Sequence, residues 1–187
     1  MSSKLHGDHS NILPAIPEHL LEEGKALEKV IRTEVTLGEK LKEIYRYIDI
    51  FSKYLGKYAQ CSKGCSHCCS IDVQISALEA EYIYAITGIK YSPFGSMTTG
   101  HKTPCPFLDI DQSCKIYHGR PLPCRMYFAF SDPENCKPGK TQLEYGSPAS
   151  SYGNNIFRNI VYWVHGETKL AGGQVRDIRD FFPEVTR

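Results

Sequence analysis

The chain has 187 residues, of which 41% are hydrophobic and 23% are charged, a balance typical of a globular protein that buries a core. Its 22 lysines and arginines nearly offset its 21 aspartates and glutamates, so the formal net charge is only +1. This charge excludes broad electrostatic attraction to nucleic acid or to an anionic membrane, and neither is an expected partner.

Two amphipathic helices are predicted near the N-terminus. Residues 1–14 show no periodicity and are expected to form a flexible arm ahead of one domain, residues 15–187. Apolar residues recur at helical spacing from Glu18 to about Glu34, and again from Leu37 to about Tyr58. We therefore expect residues 15–60 to be a helical N-terminal part whose apolar stripes pack together.

The segment 61–125 carries the densest cysteine pattern of the chain. It begins with the loop CSKGCSHCC at residues 61–69. The alternation of apolar and polar residues over 71–75 then predicts a short extended segment. Ser76 and Glu79 form a capping box, which predicts that a helix begins there.

A small β-hairpin is predicted next. Two apolar runs within residues 107–117 flank three polar residues, as the strands of a short hairpin do. Pro121 and Pro123 follow, and we expect them to prevent a regular helix before Cys124, because proline cannot supply the backbone N–H that a helix interior needs.

Residues 126–187 are expected to form a C-terminal loop and helix. Prolines and glycines over residues 131–153 predict irregular structure, and apolar spacing predicts a helix from Asn155 to about His165. The aromatic residues of the tail 177–183 should pack back onto the domain. The predicted fold is mainly α, a metal-stabilised single domain with irregular cysteine-rich loops and a small β-hairpin.

The expected location of the protein and its cysteine content indicate that the cysteines are reduced and not paired in disulfides. The N-terminal segment has no basic stretch followed by an apolar run, which argues against a secretory signal, and no apolar run reaches the about 18 residues that a membrane span needs. We therefore expect a cytoplasmic protein.

The eight cysteines of the chain favour metal binding or redox chemistry, because disulfide scaffolds belong mainly to small exported domains. A disulfide framework is the minor alternative.

Seven cysteines form the predicted metal-binding set, because thiolate sulfur suits zinc and iron–sulfur clusters. Seven thiols exceed the four that one zinc needs, which leaves two metals, one cluster with surplus thiols, or redox cysteines as alternatives. Cys136 lies in an irregular stretch outside the dense pattern and is left out of the set. The candidate ligands are Cys61, Cys65, Cys68, Cys69, Cys105, Cys114 and Cys124.

Positive charge near these cysteines would offset the negative charge of a thiolate site. Arg120 and Arg125 are the best candidates for this role, although a surface or carboxylate-bridging arginine is the alternative in each case. If the centre reacts with a substrate, we expect it to do so near Tyr117 and these two arginines. His67 could ligate a metal, but a turn residue flanked by cysteines is the favoured interpretation.

Two groups of residues carry a resemblance to known proteins. The first group is Cys61, the Gly64-Cys65 step and the Cys68-Cys69 doublet. The second is Cys105-Pro-Phe-Leu, Cys114, Ile116-Tyr117, Arg120-Pro121 and Cys124-Arg125. In both groups the chain resembles the YkgJ-type cysteine-cluster proteins, the CxxCxxCC family, which are described as zinc- or iron-chelating domains. The first gap here is CxxxC, where the family has CxxC.

The resemblance and the residues together predict an intracellular protein that chelates iron, as an iron–sulfur cluster such as [4Fe-4S] or as iron itself, or Zn²⁺. Iron is favoured. Such a module could be structural, redox-active or metal-handling, and a protein partner that binds the helical part is a further hypothesis. The resemblance also permits a metalloenzyme, for example a protein-modifying enzyme of lysine N-methylase type, although no glycine-rich loop after a strand is present to hold S-adenosylmethionine.

Overall fold

The computed structural model describes residues 15–62, 64–137, 139–140, 142, 156–183 and 185. The predicted arm at residues 1–14 lies outside this set. The described fold is mainly α, as predicted, with one two-stranded antiparallel sheet. Within the described ranges, no helix combines the length and apolar character needed to cross a bilayer.

The predicted helical pair is confirmed. Helix α1 spans Glu18–Ile31 and helix α2 spans Leu37–Leu55. At the start of α2, Thr36 and Glu39 form a capping box, in which each residue's side chain accepts a hydrogen bond from the other's backbone N–H. The two helices pack together and bury their apolar stripes, as the 3.6-residue periodicity requires.

Helix α3 spans Ala77–Thr87 and begins at the predicted capping box of Ser76 and Glu79. Gly88 ends it in the left-handed conformation, with a φ of 71°. The preceding extended segment is strand β1, Gln74–Ser76. Its partner is strand β2, Val175–Asp177, from the far end of the described chain.

The region predicted to be a hairpin is reduced to a tight turn. One antiparallel bridge joins Leu108 to Cys114, and Gln112 in the turn has a φ of 63°. No regular strand forms there among the described residues, and the sheet of the domain is instead the pairing of β1 with β2. Three polar residues are enough to close a turn. The apolar runs on either side of them are too short to form further strand pairs beyond the one bridge.

The expectation that the two prolines prevent a helix before Cys124 is wrong. Helix α4 spans Leu122–Met126, with Pro121 as its N-cap and Pro123 in its first turn. The first N–H groups of a helix have no acceptor within the helix, so proline is tolerated there. The remaining helices are α5, Ile156–Leu170, which is longer than predicted, and α6, Ile178–Phe181.

Two apolar clusters make up the core. The first joins α1, α2 and α5 and includes Phe51 and Phe157, whose rings lie 5.1 Å apart. The second joins β1, α3 and α6 to the cysteine loops and includes Phe107 and Phe182, with rings 4.9 Å apart. Helix α4 links the clusters, because its apolar residues join the first while Cys124 packs against the second.

Candidate metal centre

One cavity of about 710 Å³ brings the cysteines of the chain together. All eight are free thiols, and all eight line this cavity. The set therefore contains the seven predicted ligands and also Cys136, which the sequence pattern left out. The sulfur-bearing residues of its wall are Cys61, Cys65, Cys68, Cys69, Cys105, Cys114, Cys124 and Cys136.

The first cysteine loop turns sharply between α2 and β1. Gly64 has a φ of 89°, which an L side chain rarely adopts, and the N–H of Cys65 donates to the carbonyl of Ser62 at 3.1 Å. A 3-10 helix, His67–Ser70, then carries Cys68 and Cys69. The tight turn presents several thiols from a few residues, because little chain has to be ordered between them.

Backbone donors join the second cysteine loop to the first. The N–H of Cys105 donates to the carbonyl of Cys69 at 2.7 Å. The thiols of Cys105 and Cys114 in turn accept backbone N–H groups from Phe107 and Ile116, each two residues further along. Such donors favour the ionised form of sulfur, which is the form that binds metal.

Burial opposes ionisation of the same thiols. It raises the pKa of Cys105 to about 11 and the pKa of Cys124 well above its usual value. A hydrogen bond with Cys69, followed by burial, raises the pKa of Cys68 strongly as well. Without a cation these sulfurs stay protonated at neutral pH, so a bound metal would have to displace their protons.

Arg120 supplies positive charge at the cavity. Its guanidinium lowers the pKa of Cys68, Cys114 and Cys124 against the larger effect of burial. The guanidinium carbon lies 3.7 Å from the centre of the Tyr117 ring, and Nε donates to the Tyr117 carbonyl at 3.1 Å. Both side chains line the cavity, so the structure brings together these two predicted residues.

Arg125, the other arginine predicted to offset the charge of a thiolate site, has a different environment. Its guanidinium donates to Asp49 at 2.7 Å and lies over the ring of Tyr45, with 4.2 Å to the ring centre. It also donates to the backbone carbonyls of His118 and Arg120. Arg125 is not among the lining residues of the cavity, and it joins the second cysteine loop to α2.

Sequence reasoning missed an arginine clasp, in which one guanidinium binds several segments. Arg179 donates to the carbonyl oxygens of Cys69 at 3.2 Å and Thr103 at 2.9 Å, one from each cysteine-rich segment. Its guanidinium also pairs with the carboxylate of Asp177 at 2.9 Å, and that carboxylate accepts the N–H of Val73 at 2.7 Å. The charged residues of the tail that precede the aromatic pair Phe181-Phe182 were the only local sign of this role.

Glu79 links two helices behind the cavity. It is fully buried and accepts the N–H of Ser76 at 2.8 Å and the N–H of Leu122 at 2.7 Å. The first bond belongs to the predicted capping box, and the second caps α4, the helix that carries Cys124. Burial raises the pKa of Glu79, which these hydrogen bonds partly oppose.

The cysteine sulfurs do not form a close group of three. Among the residues that the structure describes, only Asp72, His101 and Asp177 bring three such ligand atoms within 4.8 Å of one another, so no three cysteine sulfurs approach so closely. The Asp72 cluster is already satisfied within the protein, because Asp72 accepts backbone N–H groups from Gly100 and His101, and Asp177 pairs with Arg179. We regard that cluster as a loop closure.

A family model matches part of the chain. Residues 60–145 match the family model CxxCxxCC, whose description is "Putative zinc- or iron-chelating domain". This span contains all eight cysteines and ends before Arg179. Neither the curated proteins nor the solved structures include a significant match to the chain.

Proposed function

On the premise that residues 60–145 are a domain of the CxxCxxCC family, we propose that this domain chelates iron as an iron–sulfur cluster through its cysteine thiolates, with zinc as the alternative metal. In this proposal the protein is a cytoplasmic module in which the metal has a structural, redox or metal-handling role. The observation that carries it is the convergence of all eight free thiols on one cavity.

Sulfur spacing supports a cluster over a single zinc ion. With Zn–S bonds of about 2.3 Å, the sulfurs of a tetrahedral site lie about 3.8 Å apart. No three cysteine sulfurs come within 4.8 Å of one another. In a cluster the ligating sulfurs bind different iron atoms and are held further apart, and a cavity of about 710 Å³ exceeds the volume of one ion.

The residues around the cavity fit a thiolate-bound group. Backbone N–H groups donate to the sulfurs of Cys61, Cys105 and Cys114, and Arg120 adds positive charge beside Cys68, Cys114 and Cys124. When bound, an iron–sulfur cluster would supply a site for one-electron transfer or a rigid structural centre. The chain's own part is to hold the sulfurs, offset their charge and limit access of water.

Arg120 and Tyr117 are the residues that we propose to contact the bound group, because both line the cavity. Arg125 has a positioning role in this proposal, since its guanidinium is directed to Asp49. We do not extend the proposal to lysine methylation, because the family match concerns chelation alone. A protein partner for the module also stays a prediction.

Anaerobic purification followed by elemental analysis and a visible spectrum tests this function. We expect a brown protein that contains iron and acid-labile sulfide and that bleaches in air. A colourless protein with stoichiometric zinc would overturn the cluster and leave chelation standing. A folded protein without either metal, before and after anaerobic reconstitution with iron and sulfide or with Zn²⁺, would overturn chelation itself.

A further inference from the structure

Tyr45 carries a buried hydroxyl group without a hydrogen bond. Its side chain lies in the middle of α2 and is only 3% exposed. Among the residues that the structure describes, none makes a hydrogen bond with the Tyr45 hydroxyl. Buried polar groups in folded proteins nearly always have a partner, because burial without one is unfavourable, so this hydroxyl needs an explanation.

The ring of Tyr45 is held by its neighbours. The guanidinium of Arg125 lies over the ring, 4.2 Å from its centre. The Tyr82 ring packs against it edge-on, with 4.9 Å between the ring centres. Arg125 is itself fixed, because it donates to Asp49 at 2.7 Å. The ring therefore has little freedom to turn its hydroxyl toward a distant acceptor.

Two groups that can accept a hydrogen bond lie near this hydroxyl. Burial raises the pKa of the Tyr45 phenol well above its usual value, and the negative charges of Glu79 and of a Cys124 thiolate raise it further. Charges have this effect on a pKa when they are close. Helix α4, which carries Cys124, also packs against α2. The phenol keeps its proton at neutral pH and is available as a donor.

Glu79 does not explain the hydroxyl. Its carboxylate already accepts the N–H and the hydroxyl of Ser76, at 2.8 Å and 2.9 Å, and the N–H of Leu122 at 2.7 Å. A carboxylate needs no metal to be an acceptor, yet no hydrogen bond joins Glu79 to Tyr45. Sulfur differs, because it is a weak acceptor as a thiol and a strong one as the thiolate that binds metal. Metal binding would therefore make Cys124 a suitable acceptor.

From these contacts we propose that Tyr45 is a positioning residue of the metal centre, whose hydroxyl donates a hydrogen bond to the sulfur of Cys124 when that sulfur binds metal. The inference rests on the proposed function and deepens it. Donors to a ligand sulfur influence metal affinity and the reduction potential of iron–sulfur clusters. Tyr45 lies in α2, outside the residues that match the family model, so the helical part would act directly on the cysteine part.

Tyr45→Phe tests this role, because it removes the hydroxyl and keeps the ring. Metal retention is measured as the half-life of bound iron or zinc against excess EDTA in the absence of oxygen. We expect the variant to lose metal roughly tenfold faster than the wild type. The metal-free variant should unfold at the same urea concentration as the wild type or at a higher one, since it lacks an unpartnered buried group.

Tyr54→Phe is the matched control on the same helix. The Tyr54 hydroxyl donates to the carbonyl of Ala15 at 3.3 Å. We expect this variant to keep the wild-type half-life of bound metal and to lose the same stability with and without metal. The two substitutions thus separate a hydroxyl that acts on the metal centre from one that supports only the helical core.

Nuclear magnetic resonance of protein loaded with an NMR-active cadmium isotope identifies the donor. Coupling through the hydrogen bond should connect a hydroxyl proton to the metal, and this signal should be absent from the spectrum of Tyr45→Phe. If every hydroxyl signal that is coupled to the metal persists in the variant, Tyr45 is not the donor and the proposal is overturned.

Two further results would overturn the role of Tyr45 and leave the proposed function standing. Equal metal retention in Tyr45→Phe and the wild type would show that the hydroxyl has no effect on Cys124. Lower stability of the metal-free variant, or its failure to fold, would show that the hydroxyl has a structural role without metal. A wild type that retains neither iron nor zinc after reconstitution would overturn the proposed function and this inference with it, so the two failures are distinguishable.

Discussion

The helical part and the cysteine part of this protein are stabilised in different ways. The helical part, α1, α2 and α5, buries large apolar side chains such as Phe51 and Phe157 against one another. The cysteine part, residues 61–136 with β2 and α6, has a smaller apolar cluster around an open cavity of thiols. Apolar burial stabilises the first directly, whereas the second depends on buried polar contacts and, in our proposal, on metal.

This difference in stabilisation predicts which of the two parts each substitution should affect. Loss of an apolar side chain should weaken the helical part without changing the ligands of the cavity. Loss of a polar clasp should open the cysteine part and lower its metal affinity. Trp163, the only tryptophan of the chain, packs against the helical core, so its fluorescence reports on the helical part. Metal absorbance reports on the cysteine part.

The largest effect is expected in the helical core. Phe51→Ala should lower the free energy of unfolding by about 4 kcal/mol, because it removes a fully buried ring and leaves a cavity. The measurement is urea unfolding followed by Trp163 fluorescence. Leu21→Ala is the matched control on α1, where a half-exposed side chain should contribute about 0.5 kcal/mol or less. An equal effect of the two substitutions would contradict the assigned core.

The next effect concerns the arginine clasp. Arg179→Ala should cost about 3 kcal/mol, because it leaves the carboxylate of Asp177 buried without its cation and frees the carbonyl of Cys69. It should also lower metal content, measured by elemental analysis. Arg46→Ala is the control, since Arg46 makes only exposed ion pairs with Glu23 and Glu43, worth under about 1 kcal/mol. Unchanged metal content in Arg179→Ala would show that the contacts of Arg179 do not affect metal binding in the cavity.

Two capping boxes allow a sharper comparison. Glu79→Ala should cost about 2 kcal/mol, because it leaves the buried N–H groups of Ser76 and Leu122 without an acceptor. Glu39→Ala removes the same motif at an exposed position and should cost much less, because water can replace the lost acceptor. Both values come from urea unfolding of the metal-loaded protein. Similar losses for the two variants would mean that the contact from Glu79 to α4 contributes nothing.

The smallest effect is the pH dependence of the contacts between Asp72 and the loop at Gly100 and His101. Hydrogen bonds from the N–H of Gly100 and then from His101 lower the pKa of Asp72 from 3.8 to about 2. Because the folded-state pKa is the lower one, the stabilisation is fully present above pH 4 and is lost as the pH falls from about 4 to about 2. The protection factor of the Gly100 amide, which is its exchange rate by NMR relative to that of an unfolded peptide at the same pH, should fall in that window.

Asp72→Asn is the control for this last effect. The amide keeps one oxygen as an acceptor but cannot titrate, so the protection factor of Gly100 should no longer fall below pH 4. Persistence of the same fall in the variant would assign it to another carboxylate, and Asp180, which accepts the N–H of Thr98 at 2.8 Å, would be the first to examine.

Local patterns predicted the local structure. The 3.6-residue spacing predicted α1 and α2, and the Ser76-Glu79 pair predicted the start of α3, because these features depend on residues a few positions apart. The fold class followed from them. Pro123 misled the prediction of α4, since a proline excludes a helix interior but not a first turn.

Long-range contacts could not be predicted in the same way. The pairing of β1 with β2 and the bonds of Arg179 join segments about a hundred residues apart, and no short motif encodes them. The seven clustered cysteines were recognised by spacing and all line the cavity, but Cys136 reaches it only through the packing of two 3-10 helices, His67–Ser70 and Pro133–Cys136. The distance of Cys136 from the other cysteines in the sequence gave no sign of this position.

The separation between Arg179 and the carbonyls that it binds has a consequence for biosynthesis. A ribosome releases the N-terminal helices and both cysteine loops before it has made residue 179, so the nascent chain carries its thiols without the clasp that joins those loops. Helices with local contacts form quickly, whereas closure of so distant a contact is slow. Metal loading is therefore expected to be completed after translation, on a chain whose helical part is already folded.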